Sequence, residues 1–301
     1  MTLTAYLAHL DFKDQLAQEL KNIKACYDRL FLCEGPYQES IWAQNTWFHP
    51  EFIEIASIGD AAKKLKAKQR NWAPYHYEHK SRLNLIAEAL PHVSAKRITF
   101  DAPLPTQPMG GFTLVEPNLL LAASRTSSPW AHGSMEFVED KTSPPSRAYL
   151  KLWDLFTRMP IRPGKNDLCL DLGASPGGWT WVLAHLGAKV IAVDRAPLQN
   201  DLMEHPLVTF KKGDAFKFNP KDNPEIDWVF SDLICYPEKL YDFLLPWLSD
   251  SKQRNFVLTI KFQGENPYAI LEQFRSIAGS QIIHLYHNKH EVTWLLFHNP
   301  T

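Results

Sequence analysis

The sequence has little cysteine, no excess of either charge and no long apolar run. Its four cysteines form no CxxC pair, and no His/Cys spacing is typical of zinc, so we predict reduced thiols and no metal site in a cytoplasmic protein. Lysine and arginine (32) balance aspartate and glutamate (33), so a nucleic-acid partner would need a local basic patch. No apolar run approaches the roughly 20 residues that span a bilayer, and charge appears too early for a secretory signal, which predicts no membrane association.

The composition is that of a globular protein, with 45% hydrophobic and 22% charged residues among 301. Residues 100–145 are rich in proline, glycine and serine, as loops are. We therefore predict a domain junction near residue 140, with an N-terminal module over 1–140 and a larger domain over 141–301.

Apolar runs and helix-length segments alternate in the C-terminal part. The runs at 168–172, 189–193, 227–231, 256–260 and 292–297 predict parallel strands, and the spacing of apolar residues predicts a helix within 268–278. Ser146, after two prolines, is the predicted N-cap of another helix. In the N-terminal part, "AYLAHL" predicts a strand and Phe12, Leu16, Leu20 and Ile23 predict a helix, which together favour a small α/β module. The predicted fold class is α/β.

A glycine-rich turn follows the first of these strands in "DLCLDLGASPGGWT". Ligands of such sheets bind at the carboxyl ends of the strands, beside this turn. Asp171 ends the strand, and Gly173, Gly177 and Gly178 let the backbone approach a ligand closely. Asp194 ends the second strand with a spacing typical of a carboxylate that binds ribose hydroxyls. Asp214, in "KKGDAFKF", would follow the third strand, before the run at 227–231, and is placed to reach an adenine amine.

Four interpretations of this turn remain open. A nucleoside triphosphate requires a lysine after the glycines, where this chain has Trp179. A dinucleotide prefers GxGxxG, whereas this chain has GASPGG. S-adenosylmethionine has no phosphates and needs only a glycine bend and an acid for its ribose. The fourth interpretation is a tight turn that binds nothing.

The stretch "DLGASPGGWT" resembles the cofactor motif of the FtsJ-type RNA 2′-O-methyltransferases. "SRAYLKL", "SDL", "TIKF" and "HNKHEVTWLLF" resemble four further motifs of that family, in the same order. Within it, "SSPWAHG", "VDRAPL" and "GDAFKFNP" are similar to the RlmM-like 23S rRNA (cytidine-2′-O)-methyltransferases. The resemblance implies a Rossmann-like class I fold that uses S-adenosyl-L-methionine, with 23S ribosomal RNA or a large-subunit precursor as partner.

The resemblance also implies site residues. The tetrad Lys151, Asp232, Lys261 and Glu291 matches the K-D-K-E set of the family. A lysine accepts a proton only when its pKa is lowered, and a second ammonium group nearby has that effect. We therefore expect Lys261 to be the base, Lys151 to tune it and orient the ribose, Asp232 to orient Lys261, and Glu291 to hold Lys151 or the sugar. The implied cofactor contacts are Asp171, Gly173, Ser175, Pro176, Gly177, Gly178, Trp179, Asp194, Asp214 and Asp232.

Other functions remain open from the residues alone. Cys235, three residues after Asp232, could be the nucleophile of a base methyltransferase, although Ile234 precedes it where those enzymes usually have proline. The Asn/Asp-Pro-Pro-aromatic run of base N-methyltransferases does not occur in "SDLICYP". Two further alternatives are an RNA-binding or ribosome-assembly protein with a relict methyltransferase fold, and a nicotinamide-dependent oxidoreductase.

Two basic clusters are candidate RNA contacts. The stretch 63–82 interleaves cations with Trp72, Tyr75 and Tyr77, as single-stranded RNA binding requires, or else it is a solvated helix face with a core tryptophan. Its cations are Lys63, Lys64, Lys66, Lys68, Arg70, Lys80 and Arg82. A second cluster around Lys151 comprises Lys141, Arg147, Arg158, Arg162 and Lys165. Trp130 and His132 either line a substrate entrance or plug a domain interface.

Overall fold

The computed structural model of the protein describes residues 2–93, 96–263 and 268–298. The chain divides into two compact units, one up to Val138 and one from Glu139 on. Within the described ranges, no helix is both long and apolar enough to cross a membrane.

The first unit contains nine strands and three α-helices among its described residues. In chain order these are β1 (Leu3–Ala8), α1 (Lys13–Glu19), β2 (Ile23–Tyr27), β3 (Leu30–Glu34), β4 (Ala43–Phe48), β5 (Glu51–Glu54), α2 (Ile58–Lys68), β6 (Trp72–Pro74), α3 (Lys80–Glu88), β7 (Gly110–Glu116), β8 (Leu119–Ala123) and β9 (Arg125–Thr126). They form a five-stranded sheet in the order β2-β3-β1-β4-β9 and a four-stranded sheet in the order β5-β8-β7-β6.

Alternate residues of β8 belong to two different cores. Leu120 and Ala122 pack with α2 and α3 in one apolar cluster, whereas Leu121 and Ala123 pack with residues of the five-stranded sheet in another. This is the period-two pattern of a strand that is covered on both faces. The four-stranded sheet is thus the middle layer of the unit.

The predicted N-terminal helix is too long by one turn. It ends at Glu19, with Leu20 extended at its C-cap, and Ile23 begins β2 with 39% of its surface exposed. Phe12, Leu16 and Leu20 are buried as expected. Ile23 matches the helical spacing by chance, because a β-branched residue is equally suited to the strand that follows.

The second unit contains seven strands and five α-helices among its described residues. They are α4 (Tyr149–Arg158), β10 (Leu168–Leu172), α5 (Gly178–His185), β11 (Lys189–Asp194), α6 (Asn200–Met203), β12 (Val208–Lys212), β13 (Trp228–Ser231), α7 (Pro237–Leu248), β14 (Asn255–Lys261), α8 (Leu271–Arg275), β15 (Ser280–Ile283) and β16 (Glu291–Leu296). The strands form one sheet in the order β12-β11-β10-β13-β14-β16-β15.

The sheet of the second unit confirms the predicted α/β fold. Strands β12, β11, β10, β13 and β14 are parallel. The order of the strands across the sheet reverses between β10 and β13, and ligand sites of doubly wound folds lie at such a reversal. The prediction that every strand is parallel is wrong for β16, which runs antiparallel to both β14 and β15. All six residues of β16 are buried, so its apolar run shows burial on both faces but not direction.

Helix α4 begins two residues later than predicted. Ala148 is its N-cap, without a side-chain capping bond, so the prediction of Ser146 as N-cap is wrong. Residues 147–148 form a turn that extends the non-helical segment past Ser146. Every residue from Tyr149 to Phe156 is buried, and this fixes Lys151 within the interior of the unit.

Candidate active site

The turn between β10 and α5 requires two glycines. Gly173 has φ +76° and Gly177 has φ +119°, both in the region that favours glycine. A Cβ on Gly173 would lie 2.8 Å from Leu233 Cδ2, and one on Gly177 would lie 2.3 Å from Leu202 Cδ1. The missing side chains therefore leave the backbone of this turn in close contact with its neighbours.

Asp194 holds the middle of this turn. Its carboxylate accepts hydrogen bonds from the backbone N–H of Ser175 at 3.0 Å and of Ala196 at 3.0 Å. Ser175 Oγ donates to the carbonyl of Pro197 at 2.8 Å, and the bond between Ser175 and Pro176 is cis. The ends of β10 and β11 are thus tied together through one carboxylate.

The start of α5 packs against the start of α4. Trp179 is buried, its Nε1 donates to the carbonyl of Ala148 at 3.1 Å, and its ring lies edge-on to Phe230. A Cβ on Gly178 would lie 2.5 Å from Ser146 Oγ. Trp179 and Gly178 therefore fix the turn against the helix that carries Lys151.

Asp171 lies at the end of β10 and is fully buried. It accepts a hydrogen bond from Thr180 Oγ1 at 2.6 Å. Burial raises its pKa to about 7, the Thr180 bond opposes that shift, and the negative charge of Asp232 adds to it. A carboxyl group with a pKa near neutrality therefore lies beside the turn.

Asp214 follows β12 and caps a short 3₁₀ turn. Its carboxylate accepts from the backbone N–H of Phe216 at 3.1 Å and lies 3.5 Å from Arg195 Nη2. The backbone bond, followed by the charge of Arg195, lowers its pKa. Asp214 therefore presents a charged acceptor at the carboxyl end of the third parallel strand.

Two cavities meet at the turn. The Asp214 cavity, of about 440 Å³, is lined by Asp194, Asp214, Phe216 and Lys239 among others. The Lys261 cavity, of about 390 Å³, has walls that include Ser146, Asp171, Gly173, Ala174, Ser175, Pro176, Gly178, Trp179, Asp194, Asp232 and Lys261. Gly173, Asp194, Leu233 and Ile234 line both. The predicted cofactor residues thus lie along one groove, except that Gly177 lines neither cavity.

The four tetrad side chains contact one another, and two of them, Asp232 and Lys261, line the Lys261 cavity. Lys151 Nζ lies 2.9 and 3.0 Å from the two oxygens of Asp232 and 2.6 Å from Glu291 Oε1. Lys261 Nζ lies 3.0 Å from Asp232 Oδ1 and 3.7 Å from Glu291 Oε2. Lys261 and Glu291 are direct partners across β14 and β16, so the antiparallel register places them side by side. The structure thereby brings together residues from four separate elements.

Both ammonium groups pair with the same oxygen of Asp232. Burial lowers the pKa of Lys151, but the charges and hydrogen bonds of Asp232 and Glu291 outweigh that effect and raise it above its ordinary value. Lys151 therefore stays charged. The repulsion that we expected between the two lysines is opposed by the two carboxylates that pair with both of them.

Sequence reasoning missed several residues at this site. Ser146 and Ala148 line the Lys261 cavity, whereas the sequence suggests only a capping role for Ser146 and none for Ala148. Leu233 and Ile234 line both cavities, and their position directly after Asp232 was the available signal. The loop after β13 therefore contributes more to the site than its one predicted acid.

Of the two alternatives left open for the stretch 63–82, the burial of Trp72 and Tyr75 favours the solvated helix face with a core tryptophan. Trp72 is 3% exposed and belongs to the core beneath α2, and Tyr75 is 5% exposed with its hydroxyl bonded to the backbone of Arg29, so neither ring can stack on a base. Lys64 pairs with Asp60 and Lys68 with Glu51. Trp72 and Tyr75 instead belong to the two apolar clusters of the first unit.

The remaining candidates lie as follows. Cys235 lines the Asp214 cavity, but burial raises the pKa of its thiol, which disfavours the thiolate that a nucleophile needs. His132 is in the first unit, and burial lowers its pKa to about 4. Across the described ranges no group of three or more His, Cys, Asp or Glu residues could hold a metal ion.

Comparisons with known proteins agree with this geometry. Residues 144–274 match the model of the FtsJ-like methyltransferase family. "Ribosomal RNA large subunit methyltransferase M" of Laribacter hongkongensis is 33% identical over 183 residues, which are 55% of this chain and 51% of that protein. The protein of the same name from Cellvibrio japonicus is 32% identical over 200 residues, 60% of this chain and 56% of that protein. Fibrillarin of Aeropyrum pernix, solved with S-adenosyl-L-methionine bound, is 14% identical with a TM-score of 0.38, covering 65% of this chain and 85% of that one.

The chain spans about half the length of the curated relatives that it matches. The matched residues 144–274 contain the glycine turn and three of the four tetrad residues, and the sheet that carries them has the predicted α/β topology. The chain is thus similar to the FtsJ-like methyltransferase family over residues 144–274.

Proposed function

We propose that the protein transfers a methyl group from S-adenosyl-L-methionine to a ribose 2′-hydroxyl of RNA. The observation that carries this proposal is the meeting of Lys151, Asp232, Lys261 and Glu291 beside the glycine turn. The names of the curated relatives support ribosomal RNA as the substrate class, and we propose a cytidine of 23S rRNA, or of a large-subunit precursor, as the target.

The groove fits this cofactor. Gly173 lines both cavities, so a ligand can approach its backbone, and no phosphate-binding lysine is needed. Asp194 and Asp214 are carboxylates at the ends of neighbouring strands, placed to accept hydrogen bonds from ribose hydroxyls and an adenine amine. S-adenosylmethionine, when bound, supplies an electrophilic methyl group on sulfur.

The tetrad prepares the 2′-hydroxyl as a nucleophile. Lys261 Nζ, when neutral, accepts the hydroxyl proton as the oxygen attacks, and Asp232 orients Lys261 through the 3.0 Å contact. Lys151 remains an ammonium group because its pKa is raised, and it fixes Asp232 and Glu291 in place. General base catalysis of this kind contributes roughly 10²–10⁴-fold, and alignment of the reacting atoms contributes most of the rest.

We further propose that residues 1–140 form an accessory module that binds RNA, and that the protein acts in the cytoplasm. The exposed lysines of α2, Lys63, Lys64, Lys66 and Lys68, support this role. Replacing all four with glutamine should weaken RNA binding and flatten its dependence on salt. A salt slope identical to that of the wild type would show that α2 is only a solvated face.

The test of the reaction uses labelled S-adenosylmethionine and total RNA from a strain that lacks the protein. Product nucleosides are identified by mass spectrometry, with Lys261→Ala as the inactive variant and the exposed Lys221→Ala as its matched control. A 2′-O-methylated nucleoside that Lys221→Ala still makes and Lys261→Ala does not would support the proposal. A base-methylated product, or no product despite bound cofactor with both naked RNA and ribosomal particles, would refute it.

A further inference from the structure

The loop that follows Asp232 presents two large apolar side chains to water. Ile234 is 80% exposed, more than any other large hydrophobic residue described, and Tyr236 is 61% exposed. Tyr236 caps α7 without a side-chain hydrogen bond, and Pro237 is the first residue of that helix. Paired exposed apolar residues beside a site are typical of a binding surface.

These side chains lie next to the reacting groups. Ile234 is two residues after Asp232 and lines both the Lys261 cavity and the Asp214 cavity. Tyr236 lines the Asp214 cavity. A ribose that presents its 2′-hydroxyl to Lys261 can place its base along this same edge.

We propose that Ile234 and Tyr236 form a platform on which the base of the acceptor nucleotide lies. This inference rests on the proposed function. Unstacked bases pack on aromatic and apolar faces, and such contacts tolerate any base because every base has a π-face. The platform therefore selects an unpaired nucleotide rather than a particular base.

The other possible occupant is the adenine of the cofactor. The Asp214 cavity already has an aromatic wall for that group, since Phe216 lines it and Lys239 Nζ lies 3.9 Å from the centre of the Phe216 ring. Ile234 and Tyr236, by contrast, have most of their surface in solvent. The exposure of Ile234 and Tyr236 thus favours the acceptor base over the adenine of the cofactor as their ligand.

The experiment compares Ile234→Ala, Tyr236→Ala and Tyr236→Phe with Leu245→Ala, which removes an exposed leucine from α7. Methyl transfer is measured with 23S rRNA and with large ribosomal subunits, both from a strain lacking the protein. The affinity for S-adenosylmethionine is measured separately without RNA. Loss of base stacking should reduce kcat/KM for RNA by roughly 5- to 150-fold in the two platform alanine variants, chiefly through KM.

Tyr236→Phe keeps the aromatic ring, so its kcat/KM for RNA should stay within about threefold of the wild-type value, as should that of Leu245→Ala. The affinity for S-adenosylmethionine should be unchanged in all four variants. A matching loss of S-adenosylmethionine affinity would assign the residues to the cofactor and overturn the platform. Unchanged kcat/KM in both alanine variants would overturn it as well. If the wild type itself methylates neither RNA preparation, the proposed function fails, which is distinct from failure of the platform alone.

Discussion

The buried carboxyl of Asp171 should make the stability of the protein fall as pH rises. Its pKa is about 7 in the fold against an ordinary 3.8, so above pH 4 the folded state keeps a proton that the unfolded state has released. Stability is therefore lost progressively from about pH 4 to about pH 7. About three pKa units at 1.36 kcal/mol each correspond to about 4 kcal/mol, of which roughly 3 kcal/mol fall between pH 5 and pH 8.

Asp171→Asn tests this reasoning, because an amide still accepts the hydrogen bond from Thr180 but cannot ionise. Urea unfolding of both proteins without cofactor, at pH 5, 6, 7 and 8, gives the difference in their free energies of unfolding, in which all other titrations cancel. From pH 5 to pH 8, the free energy of unfolding of Asp171→Asn should rise by roughly 3 kcal/mol relative to that of the wild type. Asp201→Asn, at an exposed position on α6, controls for the loss of a carboxyl group. A difference for Asp171→Asn that does not change with pH would refute the argument.

Three further substitutions test the packing around the site by chemical denaturation. Gly177→Ala should lower the free energy of unfolding by about 2 kcal/mol or more, because the φ of +119° is strained for alanine and its Cβ would meet Leu202; a neutral result would contradict the geometry. Lys151→Met should cost about 3 kcal/mol, since it removes the closer of the two ammonium groups that pair with the largely buried carboxylates of Asp232 and Glu291; unchanged stability would show that the tetrad is not coupled. Arg254→Lys should cost about 2 kcal/mol without changing cofactor affinity, because the buried guanidinium donates to a backbone carbonyl and lies over Trp247; a loss of affinity instead would link it to the site.

The sequence predicts the second unit better than the first. The runs at 168–172 and 189–193 are parallel strands that are buried except at their first residues, and they match β10 and β11 closely. β15 was not predicted, because "SQII" is short and half polar and becomes a strand only by pairing with β16. Direction within a sheet, as for β16, depends on connections that the pattern of apolar residues does not contain.

The four tetrad residues can be predicted from the order of the motifs in the sequence, but the contacts among their side chains cannot. The pairing of Lys261 with Glu291 depends on strand register, and the bond from Lys151 to both carboxylates depends on how α4 packs. In the first unit, Trp72 and Tyr75 look accessible in the sequence because basic residues surround them. Which way an aromatic ring faces is decided by the core that receives it, and one sequence does not show that core.

The position of β16 in the sheet has a consequence for folding. Along the chain the order is β14, β15, β16, but in the sheet β16 lies between the other two and carries Glu291. The chain must therefore pass through β15 before β16 can pair with β14, and Glu291 contacts Lys151 of α4 across a long separation in sequence. Such non-local contacts slow folding. The complete tetrad thus requires β16 to be paired with β14, and a chain that lacks this pairing carries a glycine turn without a complete tetrad.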